Sequence, residues 1–522
     1  MNKKKLLALA LSTVMAVTML AGCGGSGSSE DSTGAAAEGS GSGQDTLTVA
    51  MSSDATSLDP VAVNNVYSSN IMQQMYSTLV NLDEDGNVVP NLAESYEVSD
   101  DGLTYTFKLK QGVKFHNGDE MKASDVVFSL KRAQAAAAVS HIFGDIDPDS
   151  FETPDDYTVT FKTNVANTGF IFGLAHTGGG IVSEKVVTEA GDNYTNEPIG
   201  TGPFKFVSWS KNDTIELERF DDYFGEAPVL KTMTFKIITE ATNRAIELES
   251  GGVDMAFDIS TNDISRVEEN SELQLVRMVD NQTTFFAFNC EKEPFNDQRV
   301  RQAIAYAIDT TGVVDAVWRG VGQAAVGPIA PNVKYFDDSL TAHEYNVEKA
   351  KELLAEAGYE NGFTFTISTN ERQERIDMAT IIQSQLKEVG ITAEIEVLEW
   401  GALLEKAGNR EQDVMMAGWT CQTPDPDMAV YAPFHSQKNG QVGNNYANFG
   451  SETVDALLEQ GRTTVDSDER EQIYHDIQAA INEECPWVYL NNGEVVVGAK
   501  ANLTGFTPTP YGYHSLYNIS FK

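Results

Sequence analysis

The stretch FTFTISTNERQERIDMATIIQSQLKEVGITAEIEVL, residues 363–398, decides the fold class. Its first five residues are β-branched or aromatic, and FTFTIS reads as a strand. Ile376, Ala379, Ile382 and Leu386 then recur at helical spacing, and Gly390 supplies the stop. The segment ITAEIEVL reads as the next strand, and DVMMAGW (Asp413 to Trp419) as another. Upstream, a helix from about Val347 turns Ala350, Leu353, Leu354 and Ala357 inward and ends at Gly358. Before that, Asp297 caps a helix with Val300, Ile304, Ala307 and Ile308 on one face. Helices alternating with strands imply a sheet covered by helices, an α/β arrangement.

The first half has a different rhythm. Thr46 to Met51 (TLTVAM) reads as a buried strand. In SYEVSDDGLTYTFKLKQGVKF, Leu103, Tyr105, Phe107 and Leu109 alternate with polar residues and Asp101-Gly102 supplies a hairpin turn. DDYTVTFKT, GPFKFVSW and TIELERF continue the alternating pattern, and no internal repeat is visible.

The 522 residues exceed one hydrophobic core, so two or three domains are expected. A formal net charge of −41 argues against a nucleic-acid partner, which would need a basic patch. Lys3, Lys4 and Lys5 precede a short apolar run, Leu6 to Met19, that falls below the ~20 residues of a membrane helix. LAGC follows and resembles a bacterial lipobox, which implies cleavage before Cys23 and a diacylglyceryl anchor on its sulfur. Residues 1–22 are thus expected to be a lipoprotein signal peptide. Residues 23–45, rich in Gly, Ser, Ala and acid, are expected to be a flexible tether. The expected location is the extracytoplasmic face of the cell membrane, at a cell surface or in a periplasm. Cys290, Cys421 and Cys485 are too few and too scattered for a disulfide framework, although one pair stays open.

Catalytic constellations are not visible. No two of the seven histidines have HxxxH spacing, and there is neither a GxSxG elbow nor a GxxxxGK[ST] loop. In IGTGPFK (Ile199 to Lys205) an alternating strand follows the glycines where a phosphate cradle needs a helix, so a tight turn is expected. DEDGN (Asp83 to Asn87) lacks the glycine position and closing glutamate of a calcium loop and reads as a hairpin turn. The run Gly178 to Gly180 admits two readings: a close approach of ligand to backbone, or a flexible loop. The expectation is no enzyme, no cofactor and no metal.

Five blocks carry a family resemblance. AESYEVSDDGLTYTFKLKQGVKFHNG (residues 93–118), GTGPFKFVSW (200–209), FNCEKEPFNDQRVRQAIAYAID (288–309), TSLDP (56–60) and GWTCQTPDPDM (418–428) resemble the oligopeptide/dipeptide/nickel class, family 5, of extracellular solute-binding proteins of ABC importers. The resemblance implies a two-lobed, periplasmic-binding-protein-like fold (type II, venus flytrap) with an extra subdomain in lobe 1. It places lobe 1 at 46–288 and 492–522, the inserted subdomain at roughly 80–197, and lobe 2 at 289–491. It implies a monomer that closes on a small solute, usually a peptide, and delivers it to a permease with separate ATPase subunits.

By the same resemblance, Asn64, Asn65 and Val66 line one side of the cleft, and Gly418, Trp419, Thr420 and Cys421 the other. Relatives carry an aspartate for the ligand ammonium where this chain has Gln422, with Asp425 nearby as a substitute. They also use an arginine near the start of the helix at Ile376; Arg372 and Arg375 are close to that place. Trp400 is a further wall candidate. Several have structural alternatives: Trp419 and Trp400 as core tryptophans, Cys421 as a small buried hydrophobe, PDPD as a rigid turn, and Arg372 and Arg375 as surface arginines. The ligand could equally be a metal chelate, a glycoside or an amino-acid conjugate, or the protein could sense a signalling peptide. Cys290 and Cys421, both placed at strand ends facing the cleft, are expected to approach within disulfide range, below ~7 Å.

Overall fold

A computed structural model describes residues 44–436, 444–465 and 467–522; the expected signal peptide, Cys23 and the expected tether up to residue 43 lie outside the described residues. An 11-stranded mixed sheet runs through the chain. From one edge its order is Thr392–Leu398, Thr364–Asn370, Val414–Thr420, Leu273–Phe288, Trp487–Lys500, Met255–Ala256, Thr46–Met51, Thr232–Ile237, Thr214–Arg219 and Phe204–Ser210, with Gln323–Ala324 paired to Trp487–Lys500 off this path. The first three strands are mutually parallel, as the strand–helix–strand reading of residues 363–398 requires. The helix between them spans Gln373–Glu388, and its buried residues are Arg375, Met378, Ala379, Ile382 and Leu386. Arg375, not Ile376, therefore opens its inward face. Gly390 ends the turn at φ +83°, a conformation that favours glycine.

Residues 43–522 form one compact unit with separable apolar cores. Leu47, Val49, Phe204 and Phe235 share one in the first half. The second half buries its sheet on both faces. Along Val414–Thr420, Val414 and Met416 pack into one cluster, and Met415, Ala417 and Trp419 into the other. A separate four-stranded sheet, Ala93–Val98, Thr104–Leu109, Thr158–Lys162 and Glu152–Asp155, has a core of its own running from Leu79 to Ile181. Its first hairpin has the expected register, Tyr96 opposite Phe107, with Gly102 in the turn at φ +68°.

Two long antiparallel strands, Leu273–Phe288 and Trp487–Lys500, join the halves of the main sheet. Their ladder is regular to Val279–Glu494 and resumes at Thr283–Asn492, so one irregularity falls at residues 280–282 and 493, and a second follows between Thr284–Asn491 and Phe285–Tyr489, at Leu490. The outward crossing was expected near Asn289, a few residues beyond these irregularities. Thr283 to Phe288 already pair with Val414–Trp419 of the second half.

The turn readings hold. DEDGN is the turn between Val80–Leu82 and Val88–Pro90, with the Asp83 carboxylate accepting from the amides of Asp85 and Asn87. At IGTGPFK the glycines are required by close approach: a Cβ on Gly200 would lie 2.1 Å from the Met75 carbonyl oxygen. Gly200→Ala is expected to cost about 1–3 kcal/mol of stability, measured by denaturant unfolding, because backbone stands in the way. The Gly178–Gly180 run is neither a ligand approach nor a loose loop; it is a buried 3-10 turn packed on Val139, Phe143 and Tyr76.

Candidate functional site

The carboxyl ends of Thr364–Asn370, Thr392–Leu398 and Val414–Thr420 lie at one edge of the sheet, where open α/β sheets place their ligands. The residues after these ends are Arg372 and Arg375, Trp400, and the corner Cys421 to Asp427. Gln282 of the antiparallel neighbour stands opposite Thr420 and donates from Nε2 to its hydroxyl at 3.0 Å.

Arg375 is 7% exposed. Its Nη1 donates to Asn370 Oδ1 at 3.0 Å, and it makes no ion pair among the described residues. Burial, aided by Arg372, pulls its guanidinium down to about 9, and Tyr67 and Glu374 offset this only in part. It is still a cation at neutral pH. Glu374 pairs with Arg372, whose guanidinium also lies over the Trp318 ring. Gly418 makes room for Arg375: a Cβ there would sit 2.9 Å from Nη2 and 2.8 Å from the Gln282 carboxamide. Both obstacles are ends of flexible side chains. Gly418→Ala should therefore fold normally, with little change in melting temperature, but displace Arg375; on the reading that Arg375 holds the solute, as proposed below, calorimetry should show binding weakened by about tenfold or more.

Asp280 sits beside this region, at the ladder irregularity. Its carboxylate accepts from the Gln282 and Gly493 amides, with Arg372 and Glu494 nearby. Burial dominates and raises its pKa from 3.8 to about 7. A folded-state pKa above the unfolded one means the folded state holds the proton more tightly, so this contribution is full below 3.8 and lost as pH rises through about 7. Asp280→Asn is expected to stabilise the protein at pH 8, by roughly 4 kcal/mol as an upper bound, with the gain gone by pH 4. Denaturant titrations of both proteins across that range check the sign.

Around Trp419 and Gln422 the corner presents uncharged side chains and joins three parts of the chain. Trp419 belongs to the core, its indole donating to the Met428 carbonyl at 2.9 Å, and one edge meets the His141 ring. Asn64 Nδ2 lies 3.2 Å from His141 Nε2, while Asn64 Oδ1 is buried without a partner among the described residues. Gln422 Oε1 lies 3.0 Å from His176 Nε2. Burial pushes His141 down to about 4 and His176 to about 3, so both are uncharged at neutral pH. Neither histidine is marked by any local motif.

The remaining expected residues have structural work. Asn65 caps the helix Val66–Met75, accepting from the Ser68 amide, and Val66 packs on Gly512. Cys421 is buried, its thiol donating to the Thr423 carbonyl and pushed up to about 12 by desolvation. Trp400 begins the helix Trp400–Gly408 and leans half-buried on the core that holds Trp419. Both oxygens of Asp425 are held by Arg470, at 2.7 and 3.0 Å. Asp425 is thus not the free carboxylate expected beside Gln422. The Cys290–Cys421 pairing fails as well. In the antiparallel ladder Gln282 faces Thr420 and Phe288 faces Val414, so the two cysteines lie at opposite ends, and all three described cysteines are free.

The inserted sheet closes over this corner. Besides His141 and His176, it contributes Asp145, which pairs with Arg462 at 2.6 Å, and Thr168, whose amide donates to the Arg462 carbonyl.

Known proteins share this architecture. The chain is 31% identical over 474 residues to the glutathione-binding protein GsiB of Pectobacterium atrosepticum, covering 88% of this chain and 91% of the relative. It is 31% identical over 463 residues to the dipeptide-binding protein of Escherichia coli K12, covering 83% and 86%. Among solved structures, the periplasmic binding protein DppA of Helicobacter pylori in complex with the peptide STSA superposes with a TM-score of 0.86 at 29% identity, over 92% of this chain and 98% of that one. Residues 87–441 match the profile described as bacterial extracellular solute-binding proteins, family 5, middle region. By this profile match and by the identity shared with these relatives over most of their length, the chain belongs to the family 5 bacterial extracellular solute-binding proteins.

Proposed function

We propose that this chain is the lipid-anchored receptor of an ABC importer and that it captures a short peptide or peptide-like acid through the solute's carboxylate. The observation that carries the reading is Arg375, a buried guanidinium without an ion-pair partner among the described residues, at the carboxyl ends of three parallel strands. A buried unpaired cation is costly, and a ligand carboxylate removes the cost. Gly418 and Thr420 form the floor beside it, and Trp419, Gln422 and Asn64 the far wall. The two lobes close by bending at residues 280–282 and 493, where the long strands lose register. The solute then passes to a permease driven by ATPase subunits.

Mass spectrometry of whatever co-purifies with the folded protein tests the reading. A small carboxylic acid is expected, and a ligand without a carboxylate overturns it. The neutral histidines and Gln422 favour a second reading, an amino-acid conjugate in place of an unmodified peptide. The anchor has its own test. Cys23→Ser should leave binding intact and release the protein from membranes; membrane fractionation identical to the native form sinks the lipobox reading.

A further inference from the structure

His176 fixes which way the Gln422 carboxamide points. The Gly178 amide donates to His176 Nδ1 at 3.0 Å, so that nitrogen carries no proton. A neutral imidazole must then carry its proton on Nε2, and Nε2 donates to Gln422 Oε1 at 3.0 Å. The Gln422 carbonyl is consumed. Its amide nitrogen makes no hydrogen bond among the described residues, yet it is not among the polar atoms sealed from solvent. Gln422 comes from the second half of the chain, whereas His176 and Tyr513, whose hydroxyl lies 3.5 Å from the Gln422 main-chain carbonyl, come from the first half and the C-terminal segment. The group is therefore set where the halves meet, with a donor left over.

We propose that this corner receives an uncharged hydrogen-bond acceptor on the solute, such as an acyl carbonyl, and selects against a free ammonium. The inference rests on the reading that Arg375 holds the solute's carboxylate. An ammonium has three donors and no acceptor, so it would meet the Gln422 NH2 donor to donor. Of the nearby carboxylates, Asp425 is taken by Arg470, and Asp427 faces Arg462 through Oδ2 at 3.3 Å, its Oδ1 being sealed from solvent without a hydrogen-bond partner among the described residues. The solute's length is bounded too. Arg375 lies against Gly418, and the Gln422 backbone is four residues further along, at most ~14 Å away in extended chain before the reach of the Gln422 side chain is added. That spans about four residues of extended ligand. The solute class is a short N-acylated peptide or amino-acid conjugate with a free carboxylate.

Calorimetry on the ligand-free mature protein uses three probes: Ala-Ala-Ala, its N-acetyl form and the N-acetyl C-terminal amide. The N-acetyl acid should bind about tenfold or more tighter than the free tripeptide, and the amide about a hundredfold weaker than the N-acetyl acid. Gln422→Asp should reverse the preference between the first two. If the free tripeptide binds the native protein as tightly as the acetylated one, this proposal is overturned while the carboxylate reading stands. Equal binding of the amide and the acid overturns the carboxylate reading. Failure of all three to bind at millimolar concentration overturns both. Should Gln422→Asp not fold, Gln422→Leu removes the donor and should abolish the preference for the acetyl form; a preference unchanged in that variant also overturns the proposal.

Discussion

Arg470→Ala is expected to remove about 3–5 kcal/mol of unfolding free energy, because it strands the Asp425 carboxylate in the interior. Arg470 is 1% exposed and Asp425 3%. Two nearly parallel hydrogen bonds join them, Nη1 to Oδ2 at 2.7 Å and Nη2 to Oδ1 at 3.0 Å. The guanidinium is otherwise spent on the Gly461 carbonyl at 2.9 Å and the Tyr474 hydroxyl at 3.3 Å, and Asp425 Oδ1 also accepts from the Asp427 amide. The pair thus nails the PDPD loop to the helix Asp468–Glu484. Asp425→Asn should cost nearly as much, since it leaves the arginine unpaired. Replacing both partners by Met and Leu should recover much of the loss. Guanidinium unfolding of the four proteins measures this. The contrary result is specific: if Asp425→Asn keeps its native midpoint and loses ligand affinity, Asp425 is a ligand group and the pair is incidental.

The sequence had offered Asp425 as a ligand carboxylate because only its neighbours in the chain were visible. Arg470 is 45 residues away, on a helix whose inward face includes Ile473, Tyr474 and Ile477. The same blindness hid His176, which is 246 residues from Gln422. What periodicity could reach, it reached. The alternation of Tyr105 and Phe107 set the hairpin, and Asp297 does cap its helix by accepting from the Arg299 amide. Helical spacing puts Arg375 three and four residues before Met378 and Ala379, on their buried face, but a reading that turns the apolar Ile376 inward instead leaves the arginine on the surface. No boundary is legible in Thr283 to Phe288, where two threonines and an apolar run without a turn signal are buried throughout. The cysteine pairing failed on strand direction: an antiparallel neighbour reverses which end faces the cleft.

Arg375→Met should weaken binding of a free-acid ligand by about 30-fold or more, and should at the same time stabilise the ligand-free protein. The two signs come from one fact. In the ligand-free molecule the guanidinium is desolvated, offset by the Asn370 amide oxygen and by Tyr67 and Glu374 at a distance, and Arg372 adds repulsion. Methionine fills the same space without a charge to desolvate, which removes a cost of burial. With ligand bound, the cation and the carboxylate satisfy each other through a charge-assisted pair, and truncating one partner of such a pair costs about 2–5 kcal/mol. The stabilisation of the native protein by ligand should therefore shrink in the variant even though its unliganded melting temperature rises. Arg375→Lys separates charge from geometry: it keeps the cation but loses the planar fork, so it should retain only part of the affinity. Melting curves with and without ligand, and calorimetry on the three proteins, give both signs. A variant that binds normally removes Arg375 from the site. A variant that loses binding and is also less stable when empty shows that the arginine is a structural member of the core, and that its burial is already compensated within the protein.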